Sequence, residues 1–315
     1  MGWCPDEADT LRYVVTGAAG FIGSHLAETL QAAGHDVVGV DCFTDYYDPA
    51  EKEENARGLE LVRIDLTEAD LDLDGVDGVF HLAAQPGVRS FGDVFPVYVR
   101  RNLLATQRVF EACARARVRA VFASSSSVYG EAETYPTPET TEPRPISPYG
   151  ITKLGCEHLA RAYAAAFGLD AVALRYFTVY GPRQRPDMFV RRVCDALVEG
   201  RTFEIYGTGE QSRSFTYVAD AVEATMCAME SAEPGAVFNV GGGDEATMLE
   251  AIALLERLAG RTLDVRRVER AKGDVSRTSA DVSRIATALA WRPQTSLADG
   301  LARTWSWAAA RVAAQ

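Results

Sequence analysis

The sequence predicts an α/β protein: a doubly wound parallel sheet with a smaller C-terminal α/β domain that binds a substrate. Three observations carry that expectation. Short β-branched runs alternate with helix-length segments over the first 180 residues, the first run ends in a glycine-rich turn that opens a helix, and the texture changes after residue 180.

In chain order, "LRYVVTG" is a strand ending in glycine. In the "AAGFIGSHLAETLQAAG" that follows, Ile22, Leu26 and Leu30 fall at helical spacing and Gly34 stops the helix. "HDVVGVD" is a second buried-type strand. "LELVRIDL", "DGVFHLAA" and "RAVFASS" are further strands, separated by segments long enough to be helices. Beyond residue 180, "GPRQRPDM" is a Pro/Arg loop, and "FEIYG" and "AVFNVGGG" are short strands. The expected division is residues 1–180 as the nucleotide-binding domain, with 214–240 returning to it. Residues 181–213 and 241–315 then make the substrate domain.

The chain's 315 residues can bury a large core, and a net charge of −12 disfavours nucleic acid and anionic membranes as partners. The six cysteines contain no CxxC pair and the four histidines no HExxH spacing, so no metal centre is expected. The acidic start "MGWCPDEADT" lacks the apolar stretch of a signal peptide, and no segment approaches a transmembrane span. A soluble, cytoplasmic protein with reduced thiols is the expectation.

The stretch "TGAAGFIG" places Gly17, Gly20 and Gly23 directly after a strand and at the start of a helix. Glycines there allow a tight turn, the approach of a pyrophosphate to the helix N-terminus, and close helix–strand packing, as in a Rossmann-type dinucleotide site. Asp41 ends the second strand. A carboxylate there accepts from both ribose hydroxyls and repels a 2′-phosphate, which favours NAD over NADP.

"YGITK" puts Tyr149 and Lys153 four apart, on one face if helical. An ammonium beside a phenol lowers its pKa from roughly 10 toward neutrality, and a phenolate near a nicotinamide can take a hydroxyl proton. "SSSSVYG" (Ser124–Gly130) adds a run of hydroxyls at a strand end.

Together with "HLAAQ", "RNLLATQRVFEAC" and "LRYFTVYGPR", these motifs resemble the extended short-chain dehydrogenase/reductase family, in its NAD-dependent epimerase/dehydratase branch. The resemblance runs from Leu11 to about Trp307. It implies Ser125, Tyr149 and Lys153 as catalytic residues, with Ser124 a strand-end residue near the nicotinamide. Beside Gly17, Gly20, Gly23 and Asp41, it implies NAD contacts from Phe21, Ile22, Asp65, Leu66, Leu82, Ala83, Ala84, Gln85, Asn102, Tyr149, Lys153 and Tyr176.

Dehydratases of the branch carry an acidic pair after the catalytic hydroxyl, and UDP-xylose-forming decarboxylases a glutamate before Val-Tyr-Gly. This chain has Ser126 and Ser127, neither of which is a general acid or base near neutral pH. C4 epimerisation remains. "DYYDP", "HLAAQPGVRS", "TVYGPRQRPDM" and "GDVSRTSAD" look like UDP-glucuronate 4-epimerases, though Pro86 stands where typical members have alanine. UDP-glucose 4-epimerases usually carry asparagine at the position of Thr178. The expectation is NAD-dependent conversion of UDP-glucuronic to UDP-galacturonic acid without loss of CO₂. The alternative is 4-epimerisation of a neutral UDP-hexose.

The expected substrate contacts are Pro86, Gly87, Arg89, Ser125, Ser126, Ser127, Tyr149 and Thr178, with Arg185 adding charge at the sugar end. By the same resemblance, Arg192 and Arg213 address the diphosphate, Asp274 the uridine ribose, and Phe189, Ile205 and Tyr206 the uracil. Taken alone, those arginines read equally as a solvated charge run, and Phe189, Ile205, Tyr206 and Asp274 as ordinary core packing or surface charge. The helices over "VYVRRNLLATQRVFEACARA" and after Tyr149 would form a four-helix bundle in a homodimer, although the pattern also suits internal core.

Overall fold

The structure, a computed structural model, describes residues 10–88, 90–269 and 273–313. Seven parallel strands form the central sheet, in the spatial order Val237–Val240, Ala171–Tyr176, Arg119–Ser125, Gly78–His81, Arg12–Thr16, Asp36–Asp41 and Glu60–Arg63. The chain starts in the strand Arg12–Thr16, winds outward to one side, then returns to wind outward on the other. The reversal falls between Arg12–Thr16 and Gly78–His81, which opens a crevice at the carboxyl ends of these strands.

Alternation along the strands divides two cores. Tyr13, Val15 and Val37 pack on one face with helices Phe21–Ala32 and Val218–Ser231, while Val14, Val38 and Val40 face the other core with Val109, Phe110 and Cys156. The sheet is thus covered on both sides, as all-parallel sheets require.

One connection departs from the alternating pattern. No helix forms between Glu60–Arg63 and Gly78–His81; residues 64–77 are turns and extended chain. "TEADLDLDGVD" has no apolar stripe at 3.6-residue spacing, and the aspartates in and before it bond nearby backbone instead, Asp65 Oδ1 accepting from Thr67 N at 2.8 Å and Asp72 Oδ1 from Asp74 N at 3.1 Å. The expected long helix does form from Phe95 to Ala116, interrupted by a wider π-type turn over Val99–Leu104.

The strand Ser212–Tyr217 pairs with Thr178–Tyr180, Glu245–Thr247 and Arg277–Thr278, and Phe203–Tyr206 pairs with Val265–Val268. Helices Phe189–Glu199, Met248–Ala259 and Leu297–Ala313 pack beside them. Val237–Val240 lies on the central sheet although it follows much of this smaller part in sequence. Among the described residues no helix is long and apolar enough to cross a membrane.

Candidate active site

One cavity of about 660 Å³ opens at the carboxyl ends of the central strands and runs under the smaller part. Its first wall is the glycine turn. Gly17 has φ +72°, and a Cβ there would meet Ala83 N at 2.8 Å. A Cβ on Gly23 would strike Gly17 O, so the helix Phe21–Ala32 sits directly on the turn only because position 23 is bare. Asp41 holds the neighbouring loop, Oδ2 accepting from Ala19 N at 3.2 Å and Oδ1 from Phe43 N at 2.8 Å.

The second wall is the helix Pro148–Phe167, which carries Tyr149 and Lys153. Ser147 caps it by accepting from Gly150 N at 3.1 Å, Pro148 fits its first turn, and Gly168 ends it with φ +69°. Tyr149 therefore lies in the first turn and Lys153 one turn on. The Lys153 ammonium donates to Ala123 O at 2.8 Å and stands 5.8 Å from the centre of the Tyr149 ring. Tyr98 meets the Tyr149 ring edge-on, with centroids 6.4 Å apart.

The four serines divide their work. Ser124 turns toward the helix Pro148–Phe167 and donates to Glu157 Oε1 at 2.5 Å, although it also borders the cavity. Ser125 donates to Ser127 Oγ at 3.1 Å and accepts from Ser127 N at 3.1 Å, capping the short turn Ser126–Val128. Ser125, Ser126 and Ser127 face the same space as Tyr149, Lys153 and Thr178.

Almost every residue singled out from the sequence borders this cavity. The residues expected to meet NAD, from Gly17 to Gln85 with Tyr149, Lys153 and Tyr176, line it. So do Pro86, Gly87, Thr178, Arg185, Phe189, Arg192, Ile205, Tyr206, Arg213 and Asp274, expected to meet the substrate. Asn102 is the exception. It is wholly buried, its Oδ1 accepting from Gln85 N at 2.7 Å and its Nδ2 donating to Gln85 O and Thr152 Oγ1, so it holds the Gln85 loop and does not border the cavity. Arg89 lies outside the described residues. Two contacts are already made within the chain: Arg213 pairs with Asp274 at 2.8 Å, and Arg192 donates to Glu204 O at 3.2 Å while lying over the Phe203 ring.

Tyr46, Tyr47, Lys52, Arg101 and Asp187 also line the cavity, and sequence reasoning passed over them. Lys52 is buried, its ammonium donating to Thr44 O and, at 3.0 Å, to Thr44 Oγ1, with the Tyr47 ring 4.6 Å away. Burial holds its pKa below the ordinary lysine value, and the Asp41 carboxylate opposes that shift. Burial and the Asp187 charge push the Tyr46 phenol up to about 12. The only advance signal was the pairing of "DYYDP" with a lysine three residues on, at helical reach from the loop it pins.

The residues fit a dinucleotide. The cradle at Gly17 leaves room only for bare backbone, Asp41 ends the next strand and lines the same cavity, and the buried Tyr47 hydroxyl has no hydrogen-bond partner in the protein. Among the described residues no cluster could hold a metal ion.

A Rossmann-type sheet, a glycine cradle and a Ser/Tyr/Lys set in one cleft define a dinucleotide-dependent enzyme of the short-chain dehydrogenase/reductase kind. More narrowly, the chain belongs to the NAD dependent epimerase/dehydratase family, whose model matches residues 13–241. NAD is that family's cofactor. The chain is 42% identical to a Bacillus subtilis protein called an uncharacterized UDP-glucose epimerase, over 92% of this chain and 96% of the relative. It is 35% identical to the UDP-glucuronate 4-epimerase of Thermodesulfobacterium geofontis, over 94% and 95% of the two chains. The crystal structure of UDP-glucuronic acid 4-epimerase from Bacillus cereus, with UDP-glucuronic acid and NAD, superposes with a TM-score of 0.91 at 39% identity, covering 95% of this chain and 99% of that one.

Proposed function

We propose that the protein is an NAD-dependent UDP-sugar 4-epimerase acting on UDP-glucuronate, giving UDP-galacturonate with the carboxylate retained. One observation carries the choice of sugar: the hydroxyls of Ser126, Ser127 and Thr178 and the Arg185 guanidinium border the same cavity as Tyr149.

In this reading Tyr149 takes the proton of the sugar's C4 hydroxyl, Ser125 relays it, and the Lys153 ammonium, beside the Tyr149 ring, offsets the charge that develops there. Bound NAD supplies the acceptance and return of hydride at C4, so no net oxidation occurs. The 4-keto sugar turns about its phosphate linkage and offers its other face. A 4-ketoglucuronate is a β-keto acid and loses CO₂ when its carboxylate bond aligns with the carbonyl π system. Short hydroxyls hold that carboxylate without adding a titrating base, and Arg185 adds charge at the same end.

The division into a cofactor domain and a sugar domain belongs to this reading, with residues 181–213 and 241–315 forming the sugar side. So does a homodimer: Phe95, Val99, Leu104 and Ile151 are exposed on two adjacent helices, the apolar face a four-helix bundle between two copies would cover. The cysteines Cys42, Cys113, Cys156, Cys194 and Cys227 are unpaired, which suits a reducing cytoplasm.

The relative called a UDP-glucose epimerase favours a second reading, in which the sugar is neutral. Proton NMR separates them. The purified protein with UDP-glucuronate and no added cofactor should yield the galacto-configured acid, carboxylate intact. Conversion of UDP-glucose to UDP-galactose with UDP-glucuronate untouched would replace the first reading with the second.

A further inference from the structure

Arg185 does not stand alone in the cavity. Its guanidinium grips Asp187 with two nitrogens, Nε to Oδ1 at 3.0 Å and Nη2 to Oδ2 at 3.2 Å. The Tyr46 hydroxyl donates to the same Oδ2 at 3.3 Å, tying the loop after Asp41 to the loop after Gly181. All three side chains border the cavity. A backbone turn keeps the pair together, since Met188 N donates to Arg185 O at 3.1 Å.

A forked guanidinium–carboxylate pair occupies one edge of the arginine and neutralises most of its field. A sugar carboxylate approaching Arg185 therefore meets Asp187 first, either sharing the guanidinium with a like charge or displacing it. A neutral hydroxymethyl group pays neither cost. We propose that Asp187 determines specificity, acting as a built-in competitor for the substrate's carboxylate on Arg185. It holds down the preference for carboxylated over neutral UDP-hexoses that Arg185 would otherwise impose. This rests on the reading of Arg185 as a sugar-end residue given above.

The test is calorimetric binding of UDP-glucuronate, UDP-glucose and UDP to the NAD-loaded protein, in a Tyr149→Phe background that prevents turnover. Asp187→Asn should tighten UDP-glucuronate by roughly tenfold, the scale of one charge pair in a partly screened cleft, and leave UDP-glucose and UDP nearly unmoved. Asp187→Glu, which keeps the competing charge, should leave the ratio of the two sugars near its starting value. If Asp187→Asn does not fold, as judged by melting, Asp187→Ser should produce the same selective gain.

The proposal is overturned if all three ligands shift together, which marks a general field effect, or if none shifts. Weaker UDP-glucuronate binding would also overturn it, because Asp187 would then be aiming Arg185 at the sugar. Failure of the substrate reading looks different: protein with Tyr149 intact would leave UDP-glucuronate unconverted by proton NMR, whatever Asp187→Asn does to the binding ratio.

Discussion

Glu157 and Arg175 form a forked ion pair at the back of the active site, Arg175 Nε to Glu157 Oε1 at 2.9 Å and Nη2 to Oε2 at 2.7 Å. Both side chains are almost fully buried, at 3% and 1% exposure for Arg175 and Glu157. Glu157 lies one turn beyond Lys153 and also receives the Ser124 hydroxyl, while Arg175 donates on to Tyr129 at 2.8 Å. The pair therefore joins the serine strand, the helix carrying Tyr149 and Lys153, and the strand carrying Tyr176. Burial alone would lower the arginine's pKa, but the bonds and charge of Glu157 outweigh it and raise it. Glu157→Ala should destabilise the protein by about 3–5 kcal/mol in urea titration, because Arg175 is left buried without its partner. Replacing both by methionine should recover much of that loss.

Tyr149→Phe should lower kcat by roughly 10²–10⁴, with melting temperature and bound NAD unchanged, since only a proton-transfer group is removed. Lys153→Met removes the charge beside Tyr149 and the bond to Ala123 O. It should lower kcat and, because a buried backbone acceptor loses its donor, also lower the melting temperature, which Tyr149→Phe leaves unchanged. NMR-monitored turnover and thermal melts check both.

Gly17→Ala should empty the cofactor site. The new Cβ would lie 2.8 Å from Ala83 N, and φ +72° costs a further ~1–2 kcal/mol for a residue with a side chain. Ultraviolet absorbance of the supernatant after acid precipitation should show NAD falling from near one per chain to a small fraction, with a lower melting temperature.

One buried and one half-buried histidine predict acid sensitivity. His81 bonds Thr16 and Thr106 at 2.8 and 2.9 Å, and burial, then the Lys153 charge, lowers its pKa to about 3. His25 bonds Pro182 O at 2.9 Å and Arg183 at 2.8 Å, and burial, then Arg183, lowers its pKa to about 4. Both folded values lie below the ordinary 6.5, so the unfolded chain binds more protons between those limits. Stability is therefore full above about 6.5 and declines as pH falls, with a limiting slope of about 1.4 kcal/mol per pH unit for each ring. His25→Gln should make the decline shallower in urea titrations at about pH 7 and about pH 5.

The parts of the site that could be read in advance were those whose chemistry is local in sequence. Gly17, Gly20 and Gly23 signal a turn by spacing alone, and Tyr149 and Lys153 share a face by helical period. Asp187 and Glu157 carry no such mark. In sequence each reads as one more surface acid, and only the fold sets Asp187 against Tyr46, 141 positions away, or Glu157 against Ser124 and Arg175. The turn-built crossover at 64–77 escaped for the opposite reason: length suggested a helix where the aspartates had already committed the backbone to local bonds. Asn102 was assigned to the cofactor, yet its amide is consumed by Gln85 and Thr152, a shift of one layer that no spacing reveals.

The edge strand Val237–Val240 has a consequence for how the chain comes off the ribosome. Until it emerges, the strand Ala171–Tyr176 shows one bare side, a row of unsatisfied amides and carbonyls open to any passing strand. Arg185, Arg192 and Arg213 are all translated before that gap can close. A fragment stopped after residue 180 would therefore carry a six-stranded sheet with that edge left open.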